Sequence, residues 1–538
     1  MLVSSFTSAP HRESDGGWDA ALGSALLVEG VRIPTPEGEL GNTVVAESKP
    51  RPGHSGQTPA PGNPIKPIKD HSGEKERTMA RERNTLLASV IAESGWSQAQ
   101  LAAAMTRVAT EAGASELAAV RQPHVAMWVG GTRPEPRAAS ILCETLSRRL
   151  GRIVTPAHIG LVPHAGADEV RSAWDIDTAT ALADFGDCMT MDRRTALSAT
   201  AYSVAGAALP PTAWWDQTRD SARTRKPRTH MTVTAGHVAA IQEATRFYSG
   251  QDQRLGGGAG RTALAFYLQT DVATYLAGRF PSERVRCDLI TAAAELVYLA
   301  GWTSFDTGEH GVAQKQFGVA LRMAAEADAP ALAGHILRAA AHQAVDLHHP
   351  RRALELAEGS LAERRYKLAT PRERALLGVV HARALAVNGQ KKEALAALTR
   401  ASTDLAAADP GIEEPDRVAF FAEASLSHEM ACTLRDLGDL KGAEAAFRRS
   451  VRTRALPYAR THAVTLGYLG DVQVRQGHLD DACQTWTRAL DAMAGIRSGR
   501  ARDTVVQMRR SLSPVKGRGG HMAADLDQRA RELLAHVV

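Results

Sequence analysis

Five stretches in the second half of the chain fall into one register: "GWTSFDTGEHGVAQKQFGVAL", "AHQAVDLHHPRRALELAEGSL", "ARALAVNGQKKEALAALTRAS", "CTLRDLGDLKGAEAAFRRSV" and "GDVQVRQGHLDDACQTWTRAL". Each has a turn, then an alanine, a further apolar residue four positions on, and a small residue three after that. The alanines are Ala313, Ala353, Ala394, Ala443 and Ala482. Phe317, Ala357, Leu398, Phe447 and Trp486 follow, then Ala320, Ser360, Ala401, Ser450 and Ala489. Gly308, Gly389, Gly438 and Gly477 mark four of the turns, and His348 stands in the second unit. Small residues let the two helices of a hairpin approach, the larger residue fills the groove toward the next hairpin, and glycine supplies the turn. One hairpin cannot bury its own face, so a period of roughly forty residues predicts a stacked helical array.

Composition agrees with helices. Aromatics are 5% of the 538 residues, and alanine supplies much of the 44% apolar content, which favours helix over β-sandwich. The net charge of +5 permits a polyanionic partner without demanding one, because DNA binding depends on a local patch. The cysteines Cys143, Cys188, Cys287, Cys432 and Cys483 are scattered and odd in number, so a disulfide framework or zinc site is not expected. With no apolar run of membrane-spanning length and no secretory pattern at the first residues, the expectation is a cytoplasmic protein that does not enter a membrane.

The chain divides into four parts. Residues 1–78 are rich in Pro, Gly and polar residues and are expected to be disordered. Gly73-Glu74-Lys75-Glu76 can be encoded by a purine-rich stretch just before the codon for Met79, so the natural start is expected at Met79. A compact helical unit is predicted over 79–165, a connector with an internal apolar helix over 166–228, and the repeat array over 229–538.

Within 79–165, Leu86, Leu87, Val90 and Ile91 form one face of a first helix that ends at Gly95. Ser97 with Gln100 reads as a reciprocal capping box opening a second helix, whose stripe is Leu101, Met105 and Val108. "RQPHVAMWVGGTRP", residues 121–134, reads as a third helix: Pro123 in its first turn, Val125 and Trp128 inward, Gly130 and Gly131 ending it. A supporting helix follows, with Ile141, Leu142, Leu146 and Leu150 inward.

The last repeat unit, with Leu466, Leu469, Gly470, Gly477, Ala482, Trp486 and Ala489, resembles the tetratricopeptide repeat. "WSQAQLA" and "QPHVAMWVGGTRP" resemble the second and third helices of the helix-turn-helix in the Cro and phage-repressor class. That resemblance implies Gln98 near a phosphate, Gln122, His124 and Met127 facing base edges, and Arg121 and Arg133 on the DNA backbone. The class joins these helices by a tight turn, whereas "TRVATEAGASELAAV" intervenes here. Together with "DQRLGGGAGRTAL" and "LAGWTSFDTGEHGVAQKQFGVAL", the two halves resemble actinobacterial transcriptional regulators with a repressor-type head and a degenerate tetratricopeptide tail. That group includes negative regulators of sporulation and antibiotic production.

Three other motifs are discounted. Arg193-Arg194 before an apolar stretch is like an export signal, but it lies deep inside the chain. "GGGAGRT" lacks the P-loop spacing and lysine. "HEMAC" at His428 has Cys432 where a zinc protease has its second histidine. No acid–base or nucleophile constellation stands out, so no catalytic residue, metal or cofactor is expected. The sequence therefore predicts an all-α regulator: a small helix-turn-helix unit that binds DNA, then an α-solenoid that receives a protein, peptide or small molecule. A homodimer would double the base contacts of so small a reader. The alternative is a repeat scaffold whose helical head does not bind DNA.

Overall fold

The computed structural model describes residues 82–111, 114–152, 154–161, 213–409, 411–515 and 520–536, with short pieces between 178 and 210. The segment 1–78, the proposed start at Met79, the connector helix, Cys188 and the turn at Gly113 lie outside the described residues. No β-strand occurs among the described residues; Thr232 and Arg279 form one isolated bridge.

The first four helices are α1 (Thr85–Ser94), α2 (Gln98–Glu111), α3 (Gln122–Val129) and α4 (Pro136–Leu150). Asn84 accepts the Leu87 amide at 2.9 Å and so caps α1, while Gly95 closes it at φ 68°. The capping box at α2 is formed: the Ser97 amide donates to Gln100 Oε1 at 2.9 Å, and the Gln100 amide to Ser97 Oγ at 3.2 Å. Leu87, Ile91, Leu101, Met105, Val125, Trp128, Ile141, Leu142 and Leu146 share one core. Leu86 is a correction: it is 53% exposed, because Leu87, Val90 and Ile91 already fill the α1 face that meets α4. Between α2 and α3 the chain makes a 3-10 turn over Ser115–Ala119. The connection is therefore enlarged, as the intervening sequence required.

Within the expected connector lies α5 (Trp214–Arg223), which packs on the array's first hairpin, and the array itself opens with α6 (Ala235–Leu255). Next, α7 (Arg261–Tyr267) runs through a π turn over Leu268–Val272 into α8 (Ala273–Leu276). Six hairpins follow. They pair α9 (Glu283–Asp306) with α10 (His310–Glu326), and α11 (Pro330–Asp346) with α12 (Pro350–Leu361). After the short α13 (Arg364–Lys367) come α14 (Pro371–Val387) with α15 (Lys391–Ala406), and α16 (Glu423–Asp436) with α17 (Leu440–Thr453). The last two pair α18 (Ala459–Arg475) with α19 (Leu479–Met493), and α20 (Gly499–Leu512) with α21 (Gly520–His536).

All five anchoring alanines are fully buried, as are Phe317, Ala357, Phe447 and Trp486. Gly308, Gly389, Gly438 and Gly477 take left-handed φ of 77–87°, and His348 holds the same turn at φ 60° without being glycine. In the fifth hairpin the Trp486 indole donates to the Gly467 carbonyl at 3.0 Å. A Cβ on Gly470 would come within 2.3 Å of that ring, so only glycine lets α18 and α19 close around it.

The array then closes on itself. Helix α6 packs on both α9 and α18. The Gly258 amide donates to the Arg497 carbonyl at 2.9 Å, and the Arg497 amide to the Leu255 carbonyl at 2.6 Å. The Gly257 amide donates to Asp306 Oδ2 at 2.9 Å. A Cβ at Gly257 would meet the Thr303 carbonyl at 2.6 Å. The triple glycine that resembles a P-loop is thus a packing loop, wedged between α9 and the segment leading into α20. The described cysteines Cys143, Cys287, Cys432 and Cys483 are unpaired. No described helix is long and apolar enough to cross a membrane.

Candidate functional site

Helix α3 is short because its ends are fixed by chemistry. The Arg121 amide donates to His124 Nδ1 at 3.1 Å, with Pro123 in the first turn. At the other end Gly131 takes φ 99° and the Thr132 amide donates to the Met127 carbonyl at 3.0 Å. Val125, Trp128 and Val129 are buried, which turns Gln122, His124, Ala126 and Met127 outward; Met127 is 49% exposed. Arg133 is exposed just past the exit, and Gln98 is half-buried at the first position of α2. The structure therefore gathers Gln122, His124 and Met127 on one surface helix. Two of the six residues are already engaged within the protein. The Arg121 guanidinium donates to the Ala118 and Val120 carbonyls at 3.0 and 2.8 Å, and one His124 nitrogen serves the cap.

A strap ties this unit to the array. The Glu144 carboxylate on α4 accepts the Val204 amide at 3.0 Å and Arg148 Nε at 2.8 Å. Burial raises its pKa above the usual carboxylate range, against the pull of Arg148. On the other side, the Ser203 amide donates to Gln314 Oε1 at 2.8 Å, and its carbonyl accepts from Gln314 Nε2 at 2.7 Å. The Tyr202 ring stacks on His349 at 5.3 Å. Three consecutive residues thus bridge α4 to hairpins one and two.

Inside the closed array, the inner helices α6, α9, α11, α16, α18 and α20 surround a cavity of about 100 Å³. Its wall is built on charged side chains removed from water. Arg460 joins Asp252 at 2.8 Å and Asp306 at 2.7 Å. Arg417 joins Glu373 and Glu295, each at 2.7 Å, and Arg383 joins Asp346 at 3.2 Å and Glu429 at 3.3 Å. Burial holds Asp252 up at about 6, with Arg460 pulling the other way. The His428 ring, pushed down to about 3 by burial, shares a 2.8 Å hydrogen bond with Thr465 Oγ1. Cys432 Sγ lies 3.7 Å from His428, so the motif resembling a zinc-protease signature is part of this packed wall. Among the described residues no group of three His, Cys, Asp or Glu side chains is placed to hold a metal ion.

Sequence reasoning missed this chamber. A signal was present: Glu295, Tyr298, Trp302 and Asp306, and then His335, Arg338, His342 and Asp346, recur at helical spacing along otherwise apolar, alanine-rich helices. A polar stripe on a helix that is buried all round marks an internal site.

Fold and chamber define the class: an all-α chain with a four-helix head strapped to a closed array of helical hairpins. Residues 87–162, covering nearly all of that head, match the SP15 N-terminal domain family. No curated protein matches the chain. Among solved structures it is similar to a crystal structure of a Rap protein complexed with competence and sporulation factor, at 13% identity and a TM-score of 0.33, over 56% of this chain and 98% of that one.

Proposed function

We propose that the chain is a DNA-binding transcriptional regulator, with the four-helix head as reader and the hairpin array as receiver of a signal. One observation carries the reading: α3 buries Val125, Trp128 and Val129 and leaves Gln122 and Met127 exposed, the pattern that a helix reading the major groove needs. Gln122 can pair with adenine in the major groove, and Met127 can touch a thymine methyl. Arg133 is the exposed candidate for a phosphate, whereas Arg121 must first leave its two carbonyl acceptors. The strap gives the receiver a physical hold on α4, the helix that supports the reader. The engaged states of Arg121 and His124 favour the second reading, an interaction scaffold whose head does not bind DNA.

Selection of binding sites from random DNA with the full chain, followed by gel shifts, separates the two. Gln122→Ala should relax one operator position, at a cost of about 1–3 kcal/mol. Arg133→Ala should weaken all sequences alike and reduce the salt slope by about one. A full chain that selects no sequence and shifts no DNA at low salt refutes the reading.

A further inference from the structure

Of the arginines that bridge carboxylate pairs, Arg417 and Arg460 line the chamber directly. Arg338, Arg454 and Arg500 also line it, and they are held differently. Arg338 is 2% exposed, yet it forms no ion pair with a described residue. It donates to Tyr298 Oη at 2.8 Å and to His335 at 3.1 Å, and its guanidinium lies 5.5 Å from the centre of the Trp302 ring. Arg454 donates only to the Ala424 carbonyl and Ser450 Oγ, both at 2.9 Å. Arg500 lies over Trp302 and Phe305, at 5.9 and 5.4 Å, and reaches Asp346 only at 3.7 Å. The Nε of each of these three guanidinium groups lacks a hydrogen-bond partner.

A guanidinium stays charged at any pH the protein meets, and a charge withdrawn from water is costly when its counter-charge is absent, as at buried Arg338 and half-buried Arg454, or distant and shared, as at half-buried Arg500. Aromatic faces offset part of that cost. An anion seated among the three would offset more, through charge-assisted and forked hydrogen bonds. Of the six nearby carboxylates only Asp346 pairs with one of the three, Arg500, and it is shared with the closer Arg383; the other five are held by Arg383, Arg417 or Arg460. Beside the arginines the wall is aromatic and apolar: Tyr298, Trp302, Phe420, Phe421 and Tyr458. Thr245, Ser249 and Tyr458 are only half-buried, so the chamber communicates with solvent.

We infer that this chamber is the binding site for a compact organic anion, a carboxylate or phosphate carried on a flat apolar body, gripped by Arg338, Arg454 and Arg500 against Trp302. The inference rests on the reading of the array as the receiving half, and names what it receives. At about 100 Å³ the cavity is smaller than the ~300–1,000 Å³ of most ligand pockets, so it admits only a compact molecule, part of which can extend toward the solvent opening, and not a folded partner.

The test is calorimetric titration of the full chain with benzoate, with its neutral isostere benzamide and with inorganic phosphate, at ionic strength held constant with sodium chloride. Saturable binding of benzoate or phosphate is expected, with none of benzamide; the tighter anion tells carboxylate from phosphate chemistry. Arg338→Gln and Arg500→Gln should each weaken binding by about tenfold or more, the loss of a charge-assisted contact. Circular dichroism checks that each variant folds, and Arg454→Gln, at the half-exposed position, replaces any that does not. No saturable anion binding by the natural chain, equal binding of benzamide, or binding that survives all three substitutions overturns the inference. Gel shifts on the same samples separate the two ideas: DNA binding without anion binding removes only the chamber ligand, and anion binding without DNA binding removes only the reader.

Discussion

Replacing Arg460 by alanine tests whether the array is closed by charge. Its side chain is 4% exposed and spans Asp252 and Asp306, which are 1% and 0% exposed. These three residues belong to α18, α6 and α9, so one guanidinium joins the fifth hairpin to the first. Removing one partner from a buried ion pair costs about 3–5 kcal/mol, because the other charge stays behind. Asp306 keeps the Gly257 amide, whereas Asp252 has a carboxylate oxygen with no partner even now. The comparison is Arg449→Ala, whose partner Glu423 is 52% exposed; such a surface pair is worth about 0–1 kcal/mol. Urea unfolding of the full chain, followed by circular dichroism at pH 7.5, should show Arg460→Ala several kcal/mol below Arg449→Ala. The deficit should shrink at pH 5, since a protonated Asp252 no longer needs the arginine. A triple variant, Arg460→Leu with Asp252→Asn and Asp306→Asn, should recover most of the loss. If Arg460→Ala costs no more than Arg449→Ala, or the triple variant recovers nothing, the closure does not depend on this charge cluster.

Three further outcomes follow from the geometry. Trp128→Ala should destabilise the head by about 3–5 kcal/mol, as for a buried aromatic; a melt unchanged from the natural chain would put Trp128 outside the core. Glu144→Ala removes the acceptor of the Val204 amide, so hydrogen exchange at residues 202–207 should quicken while α1–α4 stay protected; unchanged exchange there would mean that the strap is held by Gln314 and His349 alone. His428 is held at about 3 in the folded chain against 6.5 in the unfolded one, so the unfolded state takes up the proton first as pH falls. Its contribution is intact above pH 6.5 and is lost by up to about 1.4 kcal/mol per pH unit below that, down to about pH 3. His428→Gln should flatten the fall in urea midpoint between pH 6.5 and 4.5, and a variant with the natural slope would show that the ring is not desolvated.

What the sequence determined by itself was the local grammar. Alanine register picked out the buried stripe of every second helix, because a helix face is set by residues three and four apart. Ser97 with Gln100, Gly95 and the turn glycines set the helix ends for the same reason: each cap needs only neighbours a few positions away. Even there one assignment failed. Leu86 looked like core but faces solvent, since the width of a buried face depends on which helix lies against it. The rest was decided by tertiary structure. Arg460 and Asp252 meet across 208 residues, and Val204 reaches Glu144 across 60; no local period encodes either contact. The curvature that closes the array accumulates over several hairpins, each adding a small rotation fixed by side-chain volumes such as that of Trp486 against Gly470. Only that sum turns the polar stripes of α9 and α11 toward a common interior, and so makes a chamber from residues that a linear reading distributes among separate helices.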